Sequence, residues 1–285
     1  MEIIIGKTAG FCYGVRNAIT KTEEKLKELK HADALGELVH NGEVIKKLEA
    51  LGLRTIENLK EANKNVIIRA HGVTRQTYEK ANSLGLKIFD FTCPSVLKTH
   101  EIAKEYANDG YSIFLMGNKN HPEVIGTSSF CGDNYCIIEE MDDIDIGIKK
   151  LKDTNIKKLL IIAQTTYGLE KFNKFVGIIQ KILGNEIEIK VLNTICNATK
   201  IRQEETAELS KKVQCMIIIG GKNSSNTKKL YEIAKANCEK TILIETKQEL
   251  NLNGIKGCNT IGIMAGASTP DESIQDVLDI FIKKL

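Results

Sequence analysis

Short runs of β-branched and aliphatic residues recur along the whole chain, with amphipathic, lysine-rich segments between them. The clearest are EIII, VIIRA, KIFDF, YSIFLMG, KLLIIAQ, IEIKVLN, CMIIIGG, TILIE and TIGIMAG. Their alternation with helical periodicity predicts an α/β fold with mainly parallel sheets. Helical patterns run over 95–108, 169–183, 198–212, 226–236 and 270–285, most of them opening just after a Thr, Ser, Asn or Pro that can cap or start a helix.

A chain of 285 residues that is 42% hydrophobic has enough apolar surface for one large core or two to three small ones. Its net charge of +3 comes from basic and acidic residues spread along the chain, so no basic tract points to nucleic acid. No apolar stretch approaches the roughly 20 residues of a membrane span, and the run after Met1 is too short for a signal peptide. The expectation is a soluble, cytoplasmic protein with no membrane partner. In a reducing compartment, eight cysteines serve as ligands, catalysts or small core residues rather than as a disulfide framework.

Three cysteines, Cys12, Cys93 and Cys196, stand at strand-to-helix turns and cut the chain into rough thirds. Each third carries several strand-helix units. The expected architecture is three small α/β modules, each delivering one cysteine to a shared centre: residues 13–92, residues 93–193, and residues 194–285 together with 1–12. Cys215, Cys238 and Cys258 adjoin apolar strands or helix ends and read as core.

The remaining polar residues gather in loops where predicted strands end, the edge at which open α/β sheets bind ligands. Eight loops carry the signal: GKTAGFC, GELVHN, IRAHGV, FDFTCP, MGNKNHPEV, AQTTYG, NTICNAT and GGKNSSN, and MAGASTP repeats the pattern. They hold His40, His71 and His121, whereas His31 and His100 fall on helical segments and read as surface residues.

Three thiolates from distant segments suit a soft metal. A 4Fe–4S cluster held by three instead of four cysteines keeps one iron open to a substrate oxygen. Zinc with three thiolates and water, with Cys131 or Cys136 of CGDNYC as a fourth ligand, accounts for the same residues, as do three unrelated core cysteines. Ser224, Ser225 and Asn226 lie between a predicted strand and a helix, where backbone N–H groups hold phosphate oxygens. Ser268 and Thr269 before Pro270 offer a second such end; either loop taken alone reads more readily as an ordinary helix cap. His40 and His71 are placed to donate to the same anion. Glu123, two residues after His121, is the candidate proton donor, with a first-turn glutamate as the bland alternative. Thr165 and Thr166 either orient a substrate hydroxyl or simply end a strand.

The strings GFCYGV, ELVHN, IRAHGV, TCPSV, HPEVIG, QTT, TICNATKIRQ, GGKNSSN and AGASTP, in order from Gly10 to Pro270, closely resemble the 4-hydroxy-3-methylbut-2-enyl diphosphate reductase family (IspH/LytB). The resemblance implies three α/β modules around a central 4Fe–4S cluster ligated by Cys12, Cys93 and Cys196, with an open iron that accepts the substrate hydroxyl. It implies reductive dehydroxylation of the allylic diphosphate to isopentenyl and dimethylallyl diphosphate, the last step of the methylerythritol phosphate route to isoprenoids. His40, His71, His121, Ser224, Ser225, Asn226 and Ser268 would grip the diphosphate and Glu123 would deliver protons. Thr165 would hydrogen-bond near the hydroxyl with Thr166 close by, and a small ferredoxin or flavodoxin would donate electrons. Phe91 before TCP and Ser128 to Phe130 after HPEVIGT depart from the family's usual residues. The rival readings are a zinc-dependent phosphohydrolase and a cluster-bearing redox sensor or electron carrier.

Overall fold

Every strand pairing among the described residues is parallel, and the strands fall into three sheets of four. The computed structural model describes residues 1–282. One sheet comprises β2 (Ala32–Leu35), β3 (Leu53–Ile56), β4 (Asn65–Ile68) and β5 (Lys87–Asp90), in the order β3-β2-β4-β5. A second comprises β6 (Ser112–Met116), β7 (Tyr135–Ile138), β8 (Lys158–Ala163) and β9 (Glu188–Val191), in the order β7-β6-β8-β9. In the third, β10 (Cys215–Ile219), β11 (Thr241–Ile244) and β12 (Thr260–Ala265) are joined by β1 (Glu2–Ile5), giving β11-β10-β12-β1.

Counting strands along the chain, with β1 taken after β12, all three sheets share one order: second, first, third, fourth. Parallel neighbours require a crossover, and helices supply it. They are α1 (Tyr13–Leu29), α2 (Gly42–Ala50), α3 (Arg75–Ser83), α4 (Pro94–Asn108), α5 (Pro122–Ser128), α6 (Met141–Lys152), α7 (Leu169–Leu183), α8 (Asn197–Ser210), α9 (Ser225–Asn237) and α10 (Asp271–Ile282). The winding direction reverses between the first and third strand of each sheet. That reversal opens a crevice beyond their carboxyl ends.

The central strands are apolar on both faces, as parallel strands covered by helices must be. All five residues of β6 and of β10 are buried. Ile113, Leu115, Leu160 and Ile162 pack on one face of the β6–β9 sheet, and Phe114, Met116, Leu159 and Ile161 on the other with Phe172 and Phe175 of α7. Each such fully buried side chain contributes about 1.5–3 kcal/mol. The fourth strands, β1, β5 and β9, sit at sheet edges and contain only exposed and half-buried positions.

The nine expected strands all form. β2, β3 and β7 were not among them, because ADAL, LRTI and YCII are short and the first two carry a charge. Asp33 of β2 is 3% exposed; its carboxylate accepts hydrogen bonds from Arg54 Nε at 2.7 Å and from the Asn63 backbone at 2.8 Å. The last helical pattern ends at Ile282 within the described residues, and 283–285 of that expected segment lie outside them.

The chain forms two compact units. The first contains Met1–Arg16, Val39–Ala50 and the chain from Asn197 onward, so it holds the sheet with β1; the second contains Asn17–Leu38 and Leu51–Cys196, with the other two sheets. Helix α2 belongs to the first unit because Glu43 accepts from Ser273 Oγ at 2.9 Å and Lys47 pairs with Glu272, both on α10. No helix among the described residues is long and apolar enough to cross a membrane.

Candidate active site

The candidate residues occupy equivalent places in the three sheets. Cys12, Cys93 and Cys196 each follow a fourth strand: β1, β5 and β9. His40, His121 and the Ser224–Asn226 stretch each follow a first strand: β2, β6 and β10. His71, Thr165 and Ser268 each follow a third strand: β4, β8 and β12. No candidate follows a second strand. The histidines and hydroxyls therefore stand at the switch points, where ligands bind in sheets of this order.

In the second unit these loops form one connected path. The Cys93 backbone N–H donates to the Ala70 carbonyl at 3.0 Å, which places Cys93 beside the residue before His71. The rings of His71 and His121 meet edge to face with centroids 5.3 Å apart. His121 caps α5, its Nδ1 accepting the Glu123 backbone N–H at 3.2 Å, so in the neutral ring Nε2 carries the proton. Glu123 accepts from the Thr165 backbone N–H at 2.6 Å and from Thr165 Oγ1 at 2.9 Å. The Thr165 carbonyl in turn accepts the Cys196 N–H at 3.0 Å. Glu123 is 2% exposed, and burial pushes its carboxyl up to about 7 against the opposing pull of both Thr165 bonds.

Gln164 stands in the AQTTYG loop but is assigned no role by its sequence, because it also reads as the last residue of an apolar strand. Its Oε1 accepts the Asn118 N–H at 3.2 Å and its Nε2 donates to Thr166 Oγ1 at 2.8 Å. As Thr166 Oγ1 already accepts there, its own proton is directed elsewhere. Gly72, at φ +72°, turns the chain after His71; a Cβ there would lie 2.9 Å from His100 Cε1.

In the first unit, the second group of loops converges. Ser268 Oγ donates to the His40 carbonyl at 3.3 Å, and the Cys12 N–H donates to the Ala267 carbonyl at 3.1 Å. Gly221 passes so close to His40 that a Cβ would lie 2.4 Å from its carbonyl oxygen. Ser224 caps α9, its Oγ accepting the Thr227 N–H at 3.3 Å, and Ser225 is the first helical residue. Asn226 is 4% exposed, and neither its Oδ1 nor its Nδ2 has a protein partner. A buried amide without partners is costly unless a ligand completes it.

All three loop cysteines open helices. The Cys12 carbonyl accepts from Arg16 N at 2.9 Å and the Cys93 carbonyl from Leu97 N at 3.0 Å, which makes both residues N-caps, and Cys196 immediately precedes α8. All three are partly exposed. Burial pushes the Cys131 and Cys215 thiols up to about 12, and it also raises Cys136. Three partly exposed sulfurs, each at the start of a helix in an equivalent loop, are a donor set that fits a soft metal group, whereas Cys131 and Cys215 are buried thiols.

Cys131 and Cys136 pack on opposite faces of the β6–β9 sheet. Two expectations are corrected. His100 is on α4 but is 4% exposed and stacks on Phe130 with ring centroids 4.5 Å apart; His31 is exposed but lies just beyond α1. Phe130 also packs against the apolar cluster on the Cys131 side of the β6–β9 sheet.

The fold and loops define a parallel α/β protein that carries thiols, histidines, hydroxyls and a buried acid at equivalent strand ends. The sequence profile of the family described as LytB protein matches residues 3–281, and the chain belongs to that family. A relative from Clostridioides difficile (strain 630), described as 4-hydroxy-3-methylbut-2-enyl diphosphate reductase, is 41% identical over 281 residues, covering 98% of each chain. A solved structure of (E)-4-hydroxy-3-methyl-but-2-enyl diphosphate reductase, described as the terminal enzyme of the non-mevalonate pathway, is 40% identical, with a TM-score of 0.71 over 100% of both chains. The E-1-hydroxy-2-methyl-but-2-enyl-4-diphosphate reductase from Plasmodium falciparum is 32% identical, with a TM-score of 0.90 over 98% of this chain and 87% of that one.

Proposed function

We propose that this protein reduces 4-hydroxy-3-methylbut-2-enyl diphosphate to isopentenyl and dimethylallyl diphosphate, the closing step of the methylerythritol phosphate route. The observation that carries the reading is the buried Glu123 carboxyl, poised near neutrality and bonded to Thr165, in a chain whose relatives are named for this reaction. The reaction consumes two electrons and two protons and releases water.

Cys12, Cys93 and Cys196 are the ligands of a 4Fe–4S cluster in this reading, and the sheets around it are the three modules bounded at 13–92, 93–193, and 194–285 with 1–12. When bound, such a cluster supplies single electrons and an open iron for the substrate hydroxyl. The protein supplies the rest. Asn226, Ser224, Ser225 and Ser268 hold the diphosphate at the α9 N-terminus, with His40, His71 and His121 adding donors. That remote binding energy fixes the hydroxyl where it reacts.

Glu123 delivers the proton. Ionised, it accepts from Thr165 Oγ1; protonated, it donates to the same oxygen, and Thr165 is then free to donate its own proton to the substrate hydroxyl. Near pH 7 both forms are populated, the condition under which a general acid works best. Thr166, whose Oγ1 accepts from Gln164 Nε2 at 2.8 Å, is the second hydroxyl of this loop in the reading.

The electron donor in this reading is a small ferredoxin or flavodoxin, the compartment is the cytoplasm, and neither nucleic acid nor membrane takes part. The test is anaerobic reconstitution with iron and sulfide, then turnover of the diphosphate with a reduced viologen and detection of both five-carbon products. Zinc without labile sulfide, or a reconstituted protein that leaves the substrate unchanged, would overturn the assignment.

A further inference from the structure

In the first unit the loop that carries Cys12 is held by two side chains of α8. Glu205 accepts from the Lys7 N–H at 2.6 Å, the Thr8 N–H at 2.9 Å and Thr8 Oγ1 at 2.5 Å. One turn earlier, Arg202, 4% exposed, donates from Nη2 to the Gly10 carbonyl at 2.8 Å. A spacing of three residues puts both on one face of the helix. Between them they fix three of the residues that lead from β1 to Cys12, and the Cys12 backbone is itself bonded through N–H to Ala267 and through its carbonyl to Arg16.

A loop of this length, unless anchored, pays conformational entropy when its ligand atom is captured, and it exchanges that ligand readily. Charge-assisted bonds to backbone N–H groups are among the stronger anchors available. Glu205 spends its carboxylate on Lys7 and Thr8, and so serves the loop without being a ligand itself. We infer that Glu205 and Arg202 are positioning residues that hold the Cys12 loop in its ligating conformation before iron arrives. This rests on the reading of Cys12 as a cluster ligand.

The test compares Glu205→Ala, Glu205→Gln, Thr8→Val and Cys12→Ser with the parent, each reconstituted anaerobically. Iron and sulfide per chain, the reduced-cluster electron paramagnetic resonance signal and the rate of cluster loss to a strong iron chelator are measured. So is the melting temperature of each apo protein. Glu205→Ala should lose its cluster about tenfold faster than the parent, and Glu205→Gln, which keeps one acceptor, should fall between. Thr8→Val, which removes only the hydroxyl donor, should lose it about threefold faster. Apo melting temperatures should fall with the bonds removed, most in Glu205→Ala and least in Thr8→Val, so chelator rates are compared well below every melt, where cluster loss from the folded protein is what is read. Parental loss rates in Glu205→Ala and Thr8→Val, with Cys12→Ser unable to retain iron, would overturn the inference. Full iron in Cys12→Ser would instead overturn the ligand reading beneath it. Should Glu205→Ala fail to fold, Thr8→Val decides alone, and a parental rate there overturns the inference.

Discussion

Thr165 bonds Glu123 twice, through its backbone N–H to one carboxylate oxygen at 2.6 Å and through its hydroxyl to the other at 2.9 Å. Both bonds favour the ionised acid, while burial favours the protonated one and prevails. The result is a proton donor tuned by one neighbour. Glu123→Gln keeps the size and the acceptor oxygen but cannot give up a proton. Turnover should fall by about 10²–10⁴-fold with cluster and substrate binding retained. Steady-state kinetics beside a binding titration check this, and near-parental turnover would remove Glu123 from the proton path.

The same pair sets a pH profile. The working form of Glu123 is protonated, so its contribution is present below about 7 and lost as pH rises through that value. Thr165→Val removes the hydroxyl bond, which lowers the acid, and keeps the backbone bond. The alkaline limb of kcat should move to higher pH by about half to one unit, the equivalent of one hydrogen bond, in addition to any loss of rate. A limb that stays in place or moves to lower pH would show that Thr165 does not govern this proton.

Asn226 sets stability against binding. Its buried amide has no protein partner in either direction, so Asn226→Leu replaces an unsatisfied group with an apolar one of similar size at a helical position. The variant without substrate should be more stable by about 1 kcal/mol or more, while KM for the diphosphate rises by at least about tenfold. Thermal melts and kinetics on one preparation measure both. A variant that is less stable, or one with parental KM, would remove Asn226 from the anion site.

Much of this was legible in the sequence because the central strands are buried on both faces and read as unbroken apolar runs. The strands that were missed show the limit of that signal. β2 buries Asp33, which is tolerable only because Arg54 and Asn63 reach it from elsewhere in the chain, and no local pattern reports such partners. The loop histidines and serines were found from their places after strands. Gln164, in one of the same loops, carries no visible role there, since a glutamine ending an apolar run looks like a boundary residue until Asn118 and Thr166 are seen bonded to it. His100 misled for a related reason: a histidine on a lysine-rich helix reads as solvated, and only the stack on Phe130 and the closeness of Gly72 reveal a buried ring. The shared strand order of the three sheets is a property of pairing, and the terminal strand β1 completes its sheet from the far end of the chain.

The buried His100 makes its own prediction. Burial holds its pKa down to about 4, with Asp90 pulling weakly the other way. The unfolded chain therefore binds the proton first as pH falls. Stability from this group is complete above about 6.5 and drains away between there and about 4, by about 3 kcal/mol at most. Denaturant unfolding at a series of pH values should show that loss in the parent, and His100→Leu should flatten it. An acid slope unchanged in the variant would assign the effect to other groups.

The sorting of the thiols is tested by removing them one at a time. Cys93 caps α4 with its thiol partly exposed, and serine there is a poor ligand for a soft iron centre. Cys238 is 6% exposed and its sulfur points at the carbonyls of Val213 and Lys240, which a serine hydroxyl serves equally well. After identical anaerobic reconstitution, Cys93→Ser should hold little or degraded cluster by iron and acid-labile sulfide analysis, whereas Cys238→Ser should match the parent. The contrast has a physical origin. Cys93 opens a helix and is partly exposed whereas Cys238 is buried, so equal losses in the two variants would mean that place in the fold does not decide which sulfurs bind.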